Sequence, residues 1–157
     1  MGGDHGRRLT GVLLWFVGVS WFAVWNVFRD PRFPFAAVAA GAVLPDAIGL
    51  AVGRAAPSHS AVVVSVAMLA AVAGTIGRRS VRKVLIAGAI GSLLHIVFDF
   101  SAGDARVFWW PVSGLKLPDG HIPALDRPLV VNVVLEVVGA LLVRWVWVQR
   151  RAALAPR

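Results

Sequence analysis

Residues 91–100 read GSLLHIVFDF. His95 and Asp99 stand four apart in this apolar run, a spacing that puts both side chains on one face of a helix. An imidazole nitrogen and a carboxylate oxygen facing the same way are ligands for a divalent cation. Zinc suits both, and manganese or iron are compatible. Groups of the same kinds recur along the chain: Asp46 in VLPDA, His59 in PSHSA, Asn132 and Glu136 four apart in NVVLE, His5 in a Gly-rich start and His121 in DGH. Each also has a plainer use. A single intramembrane histidine can be a hydrogen-bonded helix contact, Asp99 a water-facing helix end and LPD a kinked helix. Asn132 with Glu136 can be an interhelical hydrogen-bonding pair, and His121 an ordinary turn residue.

The elements that must position these groups follow from hydropathy. The chain has 157 residues, of which 58% are hydrophobic and 15% charged. An ordinary soluble domain is about 45–50% apolar and about 25% charged, so lipid is the expected solvent for the excess. Five stretches approach the roughly 20 apolar residues that a membrane-spanning helix needs: about 9–28, 35–52, 60–77, 84–100 and 128–148. The expectation is an all-α, polytopic membrane bundle of about five transmembrane helices in a single domain, with a long outer loop between the fourth and fifth. Loops of that length without secondary structure are often functional. Arg7 and Arg8 before the first run fit a signal peptide, but the run is long and no clear cleavage site follows it, so it is read as a retained helix. The tryptophans of the first and last helices fit interfacial belts. The FWWP stretch (108–111) is placed to dip into the outer headgroup layer and wall off a site.

The chain lacks cysteine, which excludes disulfides and thiolate metal sites. Its net charge of +8 does not point to nucleic acid, because the basic residues sit in short clusters between apolar runs, as topology signals do. RRSVRK (78–83) is the densest cluster and is assigned to the cytoplasm. Five spans then place Arg29, Arg32, Arg150 and Arg151 inside, and the N-terminus, the loop holding His59 and the long loop outside. All four histidines, and Asp46, Asp99 and Glu136, fall toward the outer face. Ionisable groups at membrane depth mark functional sites by default.

These motifs resemble the YdjM-like membrane-bound metal-dependent hydrolases, over residues 1 to about 113. GAVLPDAIG resembles that family's G-x-x-L-P-D-x-D motif through Asp46, SHS its T-H-S motif through His59, and HIVFD its H-x-x-x-D motif through His95 and Asp99. WWP matches its W-P, and His5 stands for its early histidine. Two departures are Ile48, where the family has a second aspartate, and Arg54, which only approximates the arginine before T-H-S. The resemblance implies a metal held by Asp46, His59, His95, Asp99 and His5, and phosphoester hydrolysis on a lipid-linked substrate at the outer leaflet of a bacterial plasma membrane. In that scheme Glu136 is a ligand or base, Asn132 orients it, and Arg54 or Arg106 clamps a phosphate. Two rivals stay open: a cation- or proton-coupled transporter, and a lipid-binding accessory subunit of an envelope-assembly complex. A protein partner or homo-oligomer is compatible with each.

Overall fold

The computed structural model describes residues 13–53, 55, 57–99, 103–118 and 127–155. Among them all regular structure is helical: α1 (Leu13–Phe28), α2 (Phe35–Val52), α3 (Ala61–Gly74), α4 (Arg79–Phe98), the single turn α5 (Ala105–Phe108) and α6 (Leu129–Leu154).

The chain's punctuation explains the boundaries. Pro31 and Pro34 remove two backbone donors after α1, and Trp25 O accepts from Arg29 N to close it. α2 stops at Gly53, whose φ of 75° is left-handed and whose N–H returns to Gly49 O, a position that costs any residue with a Cβ. Ser60 caps α3 by accepting from Val63 N. Asp104 does the same for α5 through the amides of Arg106 and Val107. Pro128 is the extended residue before α6, one place outside the helical turn that its position suggests.

α2 and α4 form the most extensive helix pair, and α1 with α6 the next. Small residues let the backbones meet. A Cβ at Gly41 would overlap Gly88 O, and one at Gly91 would overlap Val38 O. At the α1–α6 crossing Gly18 and Gly139 oppose each other in the same way. Close backbone approach through small residues is how helices associate where lipid removes the hydrophobic drive. One buried apolar cluster joins Phe16, Ala42, Ala55 and Val107. The other joins Val24, Trp25, Phe35, Val38, Ala87 and Val146.

Three helices are long and apolar enough to cross a membrane: α2, α4 and α6. α1 is described over 16 residues and α3 over 14. Fourteen residues reach about 21 Å, short of a hydrocarbon core of about 30 Å. α4 begins at Arg79, so most of the RRSVRK cluster forms its first turns. α6 continues to Leu154, past the expected boundary at 148. The outer faces stay apolar: Leu129, Val130, Val133, Val134, Val137 and Leu141 of α6 are exposed, as are Val66 and Leu69 of α3. Contiguous apolar faces of this kind are ordinary against lipid and a liability in water.

The tryptophans divide differently from the belt expectation. Trp25 is buried in the second core cluster, and Trp21 donates from Nε1 to Phe35 O at 2.8 Å. These two serve packing rather than an interface. Trp145 and Trp147 are exposed.

The bundle has two unlike ends. At one, Lys83 Nζ lies 3.5 Å from Asp30 Oδ2, and Arg150 donates to Pro31 O at 3.1–3.2 Å with its guanidinium 4.2 Å from the Phe35 ring. The α1–α2 turn, the start of α4 and the end of α6 therefore share one basic end. The opposite end gathers the close of α2, the start of α3, the close of α4 and α5.

Candidate metal centre

Asp46, His59 and His95 come from three separate segments and meet at that opposite end. His59 Nε2 is 3.3 Å from Asp46 Oδ1. His95 Nε2 is 3.4 Å from Asp46 Oδ1 and 3.4 Å from His59 Nε2. Both histidines are completely buried, and Asp46 is nearly so. The three atoms form an almost equilateral triangle.

Local chemistry aims each ring. In α2, Pro45 has no N–H for the carbonyl of Gly41, four residues back. That carbonyl accepts instead from Ser92 Oγ of α4 at 2.9 Å. One residue on, Ala42 O accepts from His95 Nδ1 at 2.7 Å. The proline opens Gly41 O to Ser92 of α4, and His95 bonds the neighbouring carbonyl. Phe16 lies against the His95 ring with centroids 3.9 Å apart. In the PSHS turn, His59 Nδ1 donates to Ala55 O at 3.1 Å and lies 3.2 Å from Ser58 Oγ, whose own hydrogen goes to Ala55 O. Ser60 donates to the carbonyls of Trp110 and Phe108, so the SHS turn and the FWWP stretch are tied together.

A carbonyl can only accept, so Nδ1 of each ring carries a hydrogen and each neutral ring presents a bare Nε2 lone pair. Two lone pairs and a carboxylate oxygen then face one another. A proton on one ring relieves one edge of the triangle; a cation at the centre relieves all three. The dimensions favour a cation. Metal–ligand bonds of about 2.0–2.1 Å in a tetrahedral shell give ligand–ligand edges of about 3.3–3.4 Å. An octahedral shell of the same radius gives about 2.9 Å. The observed edges fit the tetrahedral case, and nitrogen–nitrogen–oxygen is a donor set zinc accepts. The hydrogen bonds on both Nδ1 atoms are the outer contacts that metal-ligating histidines characteristically make.

Asp99 stands next to this triangle. Its Oδ2 is 3.8 Å from His59 Nε2, and its Oδ1 accepts from Arg127 Nη2 at 2.9 Å. Arg127 Nη2 also donates to the Asp99 carbonyl at 2.9 Å. Asp99 is fully buried.

The other candidate residues lie elsewhere. Glu136 Oε1 accepts from the amides of Leu14 and Trp15 at 2.9 and 3.3 Å, so it caps the first described turn of α1. Asn132 Oδ1 is buried and, among the described residues, has no hydrogen-bond partner. Arg106 lines a surface pocket of about 430 Å³ together with Asp104, Ser113 and Lys116. His5, Arg54 and His121 lie outside the described residues.

Sequence reasoning passed over Arg127, Ser58 and the role of Pro45. Arg127 did carry a signal. It is the basic residue that stands directly before the last helix, next to Pro128, where the chain must turn back toward the cluster end. No family model, curated protein or solved structure matches this chain.

Proposed function

We propose that this chain is an integral membrane, metal-dependent hydrolase acting on a lipid-linked phosphoester near the outer leaflet of a bacterial plasma membrane. The observation that carries the reading is the triangle of Asp46 Oδ1, His59 Nε2 and His95 Nε2, with edges of 3.3–3.4 Å and both Nδ1 atoms already committed to carbonyls. The resemblance to the YdjM-like group supports it, since the Asp46, His59 and His95 motifs meet in space.

In this reading Asp46, His59 and His95 hold a divalent ion, zinc by the size of the triangle, the fourth position is left to water or a phosphoryl oxygen, and Asp99 accepts a proton beside it. The chemistry such an ion supplies is Lewis-acid activation of water and of a phosphoryl oxygen. The burial of all four side chains keeps the site dry and strengthens every charge interaction in it. The two apolar clusters and the lipid-facing helices leave the chain's own end, closed over by the α5 segment, as the approach for a headgroup. Ile48 does not weaken the case. It lies two residues, about 200° of helix, from Asp46 and is itself exposed, so a carboxylate there would face away from the triangle.

The five-span topology is retained in this proposal, with α1 and α3 as shorter companions of α2, α4 and α6. Transport fits less well, because a relay needs continuing polar groups. Toward the basic end Thr75 Oγ1 bonds back to Ala71 O and Asn26 Nδ2 to Phe22 O, each spent within its own helix.

The experiment is elemental analysis of the purified full chain together with headgroup release from a panel of phospholipids. About one zinc per chain and metal-dependent turnover are expected, both lost in H95A and H59A. Stoichiometric zinc that survives H59A and H95A together would remove the triangle from the site. Zinc without turnover, with a protein partner that co-purifies, would select the accessory-subunit reading.

A further inference from the structure

Arg127 has more donors than the structure uses. A guanidinium is always charged and carries five N–H groups in a fixed plane. Both described bonds of Arg127 leave from Nη2, one to the Asp99 carboxylate and one to its carbonyl. Nη1 is buried and, among the described residues, has no hydrogen-bond partner. The side chain is otherwise largely enclosed, with 16% of its surface exposed. One arm of the fork is fixed on Asp99, and the other is buried beside it with its donors unspent among the described residues.

Its place gives this meaning. Asp99 bridges Arg127 to the triangle, with Oδ1 on the arginine and Oδ2 facing His59 Nε2. Arg127 and Asp99 cancel in charge. Among the described residues, Asp46 with a divalent ion and two neutral imidazoles leaves one positive charge, which calls for an anion. A tetrahedral oxyanion with one oxygen on the ion and another on an arginine N–H spans roughly 7 Å between those two partners, a gap of one intervening carboxylate. Planar, pre-oriented N–H groups are the usual recognition element for phosphate.

We infer that Arg127 is the anion-binding residue of this site: Nη2 is anchored on Asp99 and Nη1 receives an oxygen of a phosphate group placed against the Asp46–His59–His95 cluster. The inference rests on the metal-centre reading and specifies its substrate as a phosphate ester with at least two free oxygens. Arg127 takes the role that the sequence offered to Arg54 or Arg106. It is a binding and positioning residue, because it touches the phosphate and not the attacking water.

The test uses the full chain in detergent, loaded with zinc and freed of excess metal. Zinc content and inorganic phosphate binding are read separately, by elemental analysis and by calorimetry. Wild type is expected to bind phosphate, and R127Q to bind it at least about tenfold more weakly while keeping its zinc. R127K keeps a charge for Asp99 but lacks the second arm, and is expected to weaken phosphate similarly. Phosphate binding unchanged in R127Q or R127K overturns the inference, as does no phosphate binding by wild type with or without zinc. Loss of zinc in R127Q and R127K also overturns it, because Arg127 then acts only by holding Asp99. A wild-type chain that lacks zinc but binds phosphate through Arg127 leaves the arm standing and fells the metal-dependent hydrolase. In nanodiscs, phosphatidate that displaces inorganic phosphate identifies a lipid headgroup as the source; failure to displace it identifies a soluble phosphate.

Discussion

Pro45 frees one carbonyl of α2, Gly41 O, for Ser92 of α4, next to the Ala42 O that holds the His95 imidazole. Proline in a helix interior costs about 3 kcal/mol relative to alanine, yet here it frees Gly41 O for Ser92 and stands beside the Ala42 O that anchors His95. Replacing it should separate stability from function. P45A gives residue 45 an N–H that competes for Gly41 O. We expect a chain at least as stable to heat, with zinc affinity reduced roughly tenfold or less, because the Gly41 O–Ser92 bond beside His95 is lost while the Ala42 O–His95 bond stays. Zinc titration beside a melting curve checks this, and unchanged affinity would show that His95 is aimed by other contacts. Ser58 offers the matching case in the PSHS turn. S58A removes a group 3.2 Å from His59 Nδ1 but leaves Ala55 O in place, so a comparable loss, roughly tenfold or less, is expected.

Between elements, the α2–α4 contact holds the site together, since it brings Asp46 and His95 face to face. Its glycines are not equivalent. A Cβ at Gly41 or Gly91 collides with backbone of the facing helix, whereas at Gly88 the nearest atom is Ala37 O at an ordinary 3.6 Å. G41A and G91A should each destabilise the fold by about 1–3 kcal/mol, as overpacking does. G88A should be neutral or slightly stabilising, since alanine is the better helix former by about 1 kcal/mol. Thermal melts in one detergent compare the three directly; equal melting temperatures would mean that the helices sit farther apart. Hydropathy located every one of the long helices to within a few residues except at the ends. It could not say that α3 stops at Gly74 or that α6 runs on to Leu154, because apolar side chains do not mark where a helix leaves lipid.

For the molecule as a whole, the two ends carry opposite chemistry. Lys83, Arg150 and the 29–32 turn gather at one, and the His/Asp cluster at the other. Under the proposed topology the positive-inside rule puts the cluster at the outer side. The chain has no cysteine, so single cysteines report sidedness cleanly. Leu115 is 87% exposed near the cluster end, and Ile76 is 79% exposed in the α3–α4 turn. On intact cells an impermeant maleimide should label L115C and spare I76C until the membrane is opened. Equal labelling of both would sink the proposed orientation. Composition and hydropathy were enough to read an all-helical chain with apolar, membrane-like helices, because that signal is local. The motifs, through the family they resemble, put Asp46, His59, His95, Asp99 and His5 in one candidate ligand set, of which Asp46, His59 and His95 meet in the triangle and His5 lies outside the described residues. They could not separate Glu136, which caps α1, from a site residue, nor pick out Arg127, which reaches Asp99 across 28 positions of chain. Those assignments depend on which helix faces pack together. That is settled by backbone approach at a few glycines and by the carbonyl Pro45 leaves open, contacts between segments that no single stretch of sequence contains.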